Sequence, residues 1–214
     1  MQIAVIGASG WLGGAIAREA LARGHEVTAI ARNAGGLEEL EGANPAVADA
    51  TDGAKLMAVL LGHDAAVAAV TDRSAPDRRV IPEVARTLIK AAPASSVPRV
   101  AWVGGGASLS TPDGGRFIDQ PGFPEEYKAE AMAQVEALDL FRSAPPEVDW
   151  TYLSPPVHEL VPGDKRGGYR VAGGDEPVTD ADGNNRVNSG DFAAAMVDEL
   201  ERPQFSRQRF TVGY

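Results

Sequence analysis

The chain has 214 residues, of which 44% are hydrophobic, and its formal net charge is −10. This length allows one large domain with a substantial core. The acidic balance disfavours nucleic acid and anionic membranes as partners, because phosphate binding needs clustered Lys and Arg. The absence of cysteine excludes disulfides and thiol nucleophiles, and no apolar stretch is long enough to span a bilayer. No basic segment precedes the first apolar run, so we expect a cytoplasmic protein.

A glycine-rich turn lies close to the N-terminus. The apolar run at residues 3–6 predicts a buried strand (Gln2–Ile6), and residues 11–23 predict a helix that ends before Gly24. Glycines three residues apart allow a tight turn, a close approach to a pyrophosphate and close packing of helix on strand. The helix N-terminus would offer N–H groups to the phosphates. The alternative is a tight turn without a ligand. The predicted dinucleotide contacts here are Gly7, Ser9, Gly10, Trp11, Leu12 and Gly13.

Strand and helix patterns alternate through the first two-thirds of the chain. Further helices are predicted at 53–61, 76–92 and 124–143, and residues 34–44 suggest a short amphipathic helix ended by Gly42. The predicted strands are Gln2–Ile6, Glu26–Ala31, 46–48, 65–70, Arg99–Val103 and 149–153. This alternation implies right-handed βαβ crossovers. The predicted fold class is therefore α/β, a Rossmann-type doubly wound parallel sheet with helices on both faces.

The last third of the chain is less regular. Residues 155–185 are rich in Gly, Pro and Asp, which suits loops and short strands. Ser189 can cap a helix that extends to Glu201, and residues 209–212 predict a final strand. No repeat or composition break marks a linker. We therefore predict one nucleotide-binding domain over residues 1–214, with an irregular C-terminal elaboration at about 155–214 that contributes to the substrate cleft.

The end of the second predicted strand discriminates between the two nicotinamide dinucleotides. NAD sites commonly place a carboxylate there, whereas NADP sites place a basic residue near the 2′-phosphate. Here the strand is followed by Arg32 and Asn33, with no carboxylate. Arg32 can hold the phosphate through a charge-assisted contact, unless it is simply an exposed arginine at a strand end. This pattern favours NADP(H) over NAD(H).

Later strand ends extend the predicted nucleotide site. Asp49 can accept a hydrogen bond from the adenine amino group, or it can cap the following turn. Small residues after the fourth strand allow the backbone to pass close to the ribose and the pyrophosphate. Backbone groups after the sixth strand would fix the nicotinamide carboxamide. The remaining predicted contacts are Ala50, Ala69, Val70, Thr71, Gly104, Pro155 and Val157.

Several motifs resemble a known family. The opening GASGWLGGAIAREALARGHEVTAIAR is similar to the NAD(P)H-binding branch of the atypical short-chain dehydrogenase/reductase superfamily. Four later segments are more specific, namely VGGGASL at 103–109, FPEEYK at 123–128, DWTYLSP at 149–155 and RFTVGY at 209–214. Together they resemble bacterial proteins described as NADH-flavin reductases, which are relatives of biliverdin reductase B. The resemblance implies a Rossmann fold, a nicotinamide cofactor and hydride transfer.

The catalytic residues of the classical superfamily members do not recur in this sequence. Those enzymes use Tyr-x-x-x-Lys on one helix, but here Tyr127 is followed directly by Lys128, and residue 131 is alanine. Adjacent residues point roughly 100° apart on a helix and cannot form that dyad. The remaining candidates are Ser108, after the fifth strand, and Tyr127 or Lys128. The alternatives are a loop serine bonded to its own backbone and an exposed helix lysine. The three histidines lack metal-ligand spacing, so no metal is expected.

The sequence therefore supports a hypothesis of hydride transfer from NAD(P)H to a small planar acceptor such as a flavin or a quinone. Phe117, Phe123 and Tyr169 are candidates to line an apolar acceptor pocket, or to anchor their loops. One alternative is a non-catalytic NAD(P)-binding redox sensor. A second is an epimerase-like or dehydratase-like enzyme, which the missing dyad disfavours. We expect a small-molecule substrate, no nucleic acid or membrane partner, and a monomer or a homodimer.

Overall fold

A computed structural model describes residues 1–71 and 76–214. The strands are β1 (Gln2–Ile6), β2 (Glu26–Ala31), β3 (Asn44–Val47), β4 (Ala65–Ala68), β5 (Arg99–Val103), β6 (Asp149–Ser154), β7 (Glu159–Val161), β8 (Arg170–Gly173), β9 (Arg186–Asn188) and β10 (Gln208–Gly213). The helices are α1 (Trp11–Ala22), α2 (Gly53–Leu60), α3 (Val80–Ala94), α4 (Glu125–Arg142) and α5 (Ser189–Glu201).

One sheet of eight strands organises the fold. Its order is β3-β2-β1-β4-β5-β6-β10-β8, and β7 pairs with β9 in a separate ladder. β8 runs antiparallel to its neighbour, β10, whereas the other named strand pairs of this sheet are parallel. The strand order reverses between β1 and β4, which is where open α/β sheets bind ligands. The predicted fold class, an α/β protein with a doubly wound parallel sheet, is confirmed.

Helices cover both faces of this sheet. Along β1, Ile3 and Val5 pack with α1 and α5, whereas Ala4 and Ile6 pack with α2, α3 and α4. This alternation follows from the two-residue side-chain period of a strand. The parallel sheet is therefore buried on both sides, and its ligand-accessible edge is the edge at which the strands end.

The predicted short helix at residues 34–44 is wrong. The segment forms successive turns, in which the N–H groups of Leu37, Leu40 and Ala43 each bond the carbonyl three residues earlier. Gly36 has a φ of 80°, which a right-handed helix cannot include. Gly42, with a φ of 88°, has the conformation expected of a helix-ending glycine, but no helix directly precedes it in this described segment. Leu37 and Leu40 are nevertheless buried. The apolar spacing thus identified the buried side chains correctly but not the backbone conformation.

Three other predicted elements have a boundary that is shifted by two residues or more. The helix predicted at 76–92 begins only at Val80, because Arg78 has a φ of 53°, and it extends to Ala94. The third strand begins at Asn44 and contains Pro45, which is tolerated because β3 is an edge strand. The fourth strand ends at Ala68 rather than at residue 70. The last two residues of that prediction belong to a loop at the edge of the sheet.

A buried ion pair joins β5 to α5. Arg99 donates to Glu199, and the two side chains are only 6% and 2% exposed. Glu199 also accepts the backbone N–H groups of Gln204 at 3.0 Å and Phe205 at 2.9 Å. The carboxylate therefore holds the turn that leads into β10.

Replacing Glu199 with alanine is expected to lower the free energy of unfolding by about 3 kcal/mol. The buried Arg99 then keeps only the partly exposed Asp149 as a carboxylate partner, at 2.6 Å, and the N–H groups of Gln204 and Phe205 lose their acceptor. Urea denaturation measures this change. The matched control is Glu136→Ala, which removes the half-exposed partner of Arg86 between α4 and α3. The control is expected to cost about 1 kcal/mol or less. An equal loss of unfolding free energy in the two variants would contradict the expectation that the buried pair stabilises the fold more than the exposed pair.

Candidate functional site

A cleft of about 150 Å³ lies at the carboxyl ends of β1 to β4. It spans the point at which the strand order reverses. Its walls combine apolar residues of the sheet and α3 with polar residues of the loops. Nine residues that the sequence predicted as nucleotide contacts line it, namely Gly7, Ser9, Gly10, Arg32, Asp49, Ala50, Ala69, Val70 and Thr71. The structure thus brings together residues from four separate strand ends.

The glycine turn is packed too closely for other side chains. A Cβ atom on Gly7 would lie 2.2 Å from the carbonyl oxygen of Ala69, and Gly7 has a φ of 81°. A Cβ on Gly13 would lie 2.2 Å from the carbonyl oxygen of Gly7. Both clashes would be with backbone atoms, which cannot move without displacing the chain around them. These contacts set α1 directly against the end of β1, at the mouth of the cleft.

The N-terminus of α1 offers unpaired donors. Its cap residue, Gly10, has no side chain, whereas Asp52 and Asn188 cap α2 and α5 with their side chains. Within residues 1–71 and 76–214, the N–H groups of Trp11, Leu12 and Gly13 have no hydrogen-bond partner. Unpaired N–H groups at the positive end of a helix dipole suit a phosphate.

Only the main chain of Trp11 is suited to such a contact. Trp11 is 49% exposed, and it lines a different groove, with Gly163, Asp164 and Lys165. Leu12 is partly buried and packs against the core on the α1 side of the sheet. If Trp11 and Leu12 bind a nucleotide as predicted, we therefore expect the contact to be made by their backbone N–H groups and not by their side chains.

Arg32 and Asp49 place opposite charges at the outer end of the cleft. Arg32 is exposed and lines the cleft, whereas the neighbouring Asn33 lies outside the lining. The Oδ1 atom of Asp49 accepts the N–H of Thr51 at 2.9 Å and its hydroxyl at 2.7 Å. These bonds, and the charge of Arg32, lower the pKa of Asp49. Asp49 therefore stays ionised, and it both caps the turn and lines the cleft.

Tyr152 organises the glycine-rich loop after β5, a role that no local sequence pattern predicts. Its hydroxyl accepts the N–H of Gly105 at 3.1 Å and donates to the carbonyl of Gln134 at 3.0 Å. A Cβ on Gly104 would lie 1.8 Å from the Tyr152 ring. Burial raises the pKa of Tyr152 to about 12, so this tyrosine is neutral at physiological pH. It fixes the loop and has no proton available for a substrate.

The segment after β6 has fewer free backbone groups than expected. The N–H of Val157 donates to the Oδ1 atom of Asn185 at 2.8 Å, and Pro155 and Pro156 have no N–H. A Cβ on Gly106 would lie 2.5 Å from the carbonyl oxygen of Pro155, so the two loops pack closely. Residues 155–157 therefore present carbonyl oxygens, which can accept from a carboxamide NH2 but cannot donate to its oxygen.

The three predicted catalytic residues have different surroundings. Ser108 is half-buried, and its Oγ atom accepts a hydrogen bond from Nη2 of Arg209 at 3.1 Å. Tyr127 and Lys128 lie in the exposed first turn of α4, where the Lys128 ammonium is 3.4 Å from Glu125. In the described part of the chain, no hydrogen bond joins either side chain to Ser108. Lys128 thus has the surroundings of an exposed helix lysine, and catalytic roles for these residues stay predictions.

The aromatic residues considered for an acceptor pocket are separated. Phe117 packs edge-on against His158, with ring centroids 5.9 Å apart, and so joins the loops that follow β5 and β6. The hydroxyl of Tyr169 donates to Asp198 at 2.5 Å, and Asp198 pairs with Arg23 at the end of α1. This C-terminal end of α1 lies far from the N-terminal end of the helix, which is the end next to the cleft. These contacts fit the second role considered for Tyr169, the anchoring of its loop.

Comparison with known proteins identifies the family. The NAD(P)H-binding family profile matches residues 7–203, nearly the whole chain. The chain belongs to this family. The protein YwnB of Bacillus subtilis, whose function is uncharacterised, is 35% identical to this NAD(P)H-binding protein over 99% of the chain and 98% of its own length. The family predicted from the sequence motifs is confirmed.

Three solved structures resemble this NAD(P)H-binding protein over its full length. A candidate exported protein from Burkholderia pseudomallei is 34% identical, with a TM-score of 0.89 and full coverage of both chains. A candidate epimerase from Bacteroides thetaiotaomicron is 35% identical, with a TM-score of 0.88 and 96% of its chain covered. A candidate NADH-flavin reductase from Streptococcus pneumoniae is 32% identical, with a TM-score of 0.87 and 99% covered. The fold is thus shared by proteins with different functional descriptions.

The helices of the fold give no sign of a membrane span. Among the described residues, none of them combines the length and the apolar character needed to cross a bilayer.

Proposed function

We propose that this protein is an NAD(P)H-dependent reductase that transfers hydride to a small planar acceptor such as a flavin or a quinone. The cleft is the main support for the proposal, because the glycine turn that leads into α1 and Arg32 line it together at the reversal point of the sheet. The three unpaired N–H groups of α1 directly follow that turn. The description of the Streptococcus relative supports a flavin as the acceptor. The nicotinamide, when bound, supplies the hydride.

The arrangement of strand ends supports a direction for the bound dinucleotide. Arg32 and Asp49 suit the adenosine half, with Arg32 on the 2′-phosphate of NADPH, and α1 suits the pyrophosphate. Neighbouring strands are about 4.8 Å apart, so β5 lies about 10 Å from β1 across the sheet. The loops that follow β5 and β6 then receive the nicotinamide and the acceptor. Ser108 belongs to that region and would donate a hydrogen bond to the acceptor.

The proposed hydride transfer does not need an acid catalyst from the protein. A flavin or quinone that accepts hydride can take its proton from water, so the missing Tyr-x-x-x-Lys dyad is no obstacle. Catalysis would then rest mainly on holding donor and acceptor in contact. A carbonyl or sugar substrate would need the missing acid more strongly. The missing acid therefore favours a reductase over the epimerase suggested by the description of the Bacteroides relative.

Titration of the purified protein with NADPH and NADH, followed by an assay of their oxidation with flavins and quinones, tests the proposal. We expect tighter binding of NADPH and turnover with at least one acceptor. Tight binding without turnover of any acceptor would favour a redox sensor instead. Failure to bind either nucleotide would overturn the proposal entirely. Conversion of an epimerisable sugar nucleotide, without net cofactor oxidation, would favour the epimerase.

Ser108→Ala is expected to lower kcat about tenfold without changing NADPH affinity, since it removes one hydrogen bond to the acceptor. Steady-state rates with saturating NADPH give kcat, and fluorescence titration gives the affinity. The matched control is Ser143→Ala, at the end of α4, where the hydroxyl bonds only helix carbonyls. Unchanged turnover in Ser108→Ala would remove this serine from the mechanism.

We also propose that the protein acts in the cytoplasm on a small molecule, as a monomer or a homodimer, without nucleic acid or membrane partners. The net charge of −10 supports the absence of polyanionic partners. The Burkholderia relative is described as a candidate exported protein, so the location needs direct measurement. Cell fractionation tests it, and light scattering gives the oligomeric state.

A further inference from the structure

Arg209, the second residue of β10, is a buried arginine beside the loop that carries Ser108. Its side chain is 2% exposed. The Nε atom donates to Ser154 Oγ at 2.7 Å. Nη1 donates to the Ser108 carbonyl at 3.2 Å and to Asp175 Oδ1 at 3.0 Å. Nη2 donates to the Gly105 carbonyl at 3.3 Å and to Ser108 Oγ at 3.1 Å. A guanidinium has five N–H donors, and all five are used. Arg209 therefore has no donor left for a substrate.

These contacts restrict what the Ser108 hydroxyl can do. A serine hydroxyl has one hydrogen to donate and two lone pairs to accept with. Because Arg209 occupies a lone pair of Oγ, the O–H bond must point away from the guanidinium. Over the described ranges of the chain, the Ser108 hydroxyl has no acceptor. Its hydrogen is thus available to a ligand of the half-buried loop.

The charge of Arg209 is only partly balanced. Asp175 is its one carboxylate partner in the described residues, is 46% exposed and also pairs with Arg142 at 2.7 Å. Burial lowers the pKa of Arg209, but the arginine side chain stays protonated in proteins. A positive charge therefore lies immediately behind the Ser108 hydroxyl, where it strengthens the hydroxyl as a donor.

We propose that Arg209 is a positioning residue that fixes Ser108 as a hydrogen-bond donor, and that the site thereby selects acceptors that become anionic when they take up hydride. The inference rests on the proposed function. Hydride addition to a neutral flavin or quinone leaves an anion, which then takes a proton from water. A hydrogen bond from Ser108 is stronger to the anion than to the neutral acceptor, so it favours the transfer.

A double-mutant cycle tests the coupling between Arg209 and Ser108. Arg209→Gln is expected to lower kcat about tenfold, with little change in the KM of NADPH, and Arg209→Lys is expected to recover part of the loss. In the Ser108→Ala background, Arg209→Gln should lower kcat by less than about twofold, because the hydroxyl through which it acts is gone. Arg142→Gln is the control, since Arg142 shares Asp175 but has no contact with Ser108.

If Arg209→Gln does not fold, the milder variant Ser154→Ala tests the same coupling between Arg209 and Ser108. It keeps Arg209 but removes the acceptor of its Nε donor, together with the hydrogen bond from Ser154 Oγ to the Gly105 carbonyl. It should lower kcat about threefold alone and not at all beside Ser108→Ala. Equal losses with and without Ser108 would overturn the inference, because they indicate a purely structural role. A wild-type protein that binds NADPH but reduces no acceptor would overturn the proposed function, and this inference with it.

Discussion

Arg32→Ala is expected to weaken NADPH binding about 30-fold, a loss of about 2 kcal/mol, while NADH binding changes less than about threefold. NADPH differs from NADH only in the 2′-phosphate, and Arg32 is the arginine at the outer end of the cleft. A guanidinium binds a phosphate through charge-assisted hydrogen bonds that are about twice as strong as neutral ones. Isothermal titration calorimetry with both nucleotides measures the difference.

The proximity of Asp49 to Arg32 sharpens this prediction. Asp49 is ionised because Thr51 and Arg32 lower its pKa, so removal of Arg32 leaves a carboxylate near the phosphate. Adding Asp49→Asn to Arg32→Ala is therefore expected to recover part of the NADPH affinity. Arg18→Ala is the control, since Arg18 is exposed on α1 and lines the separate groove. Equal losses for NADPH and NADH in Arg32→Ala would remove this residue from the phosphate site.

The nucleotide end of the site could be predicted because its signals are local. The spacing of Gly7, Gly10 and Gly13 reports a turn that is packed within a few residues of itself. The position of Arg32 at a strand end follows from the alternation of strands and helices. In a parallel sheet, all such ends meet at one edge. Four distant loops could therefore be assigned to one cleft from the sequence pattern alone.

The acceptor end could not be predicted in the same way, because distant contacts define it. Arg209 reaches Ser108 across 101 positions of sequence, and Tyr152 reaches Gly105 across 47. No periodicity or motif within either segment indicates such a pairing. Local rules also failed at residues 34–44, where apolar spacing suggested a helix but the positive φ of Gly36 is incompatible with one. The structure was needed to show that a buried cation supports the loop of Ser108.

Gly13→Ala is expected to lower the free energy of unfolding by about 3 kcal/mol and to weaken NADPH binding at least about tenfold. The new methyl group would lie 2.2 Å from the Gly7 carbonyl oxygen, which cannot move without displacing the turn. Helix α1 must therefore shift away from β1 and carry its unpaired N–H groups out of line with the cleft. Thermal denaturation and nucleotide titration measure the two effects.

Gly53→Ala is the matched control for Gly13→Ala. Gly53 is the first residue of α2, and a Cβ there would lie 3.7 Å from a methyl group of Thr87, an ordinary van der Waals distance. Alanine favours the helix over glycine, so stability should be unchanged or slightly higher and NADPH affinity unchanged. If Gly13→Ala instead behaves like this control, α1 can bind phosphate without its close packing on β1. The glycine spacing would then reflect the turn alone, and the case for a pyrophosphate site would rest on the unpaired N–H groups and Arg32.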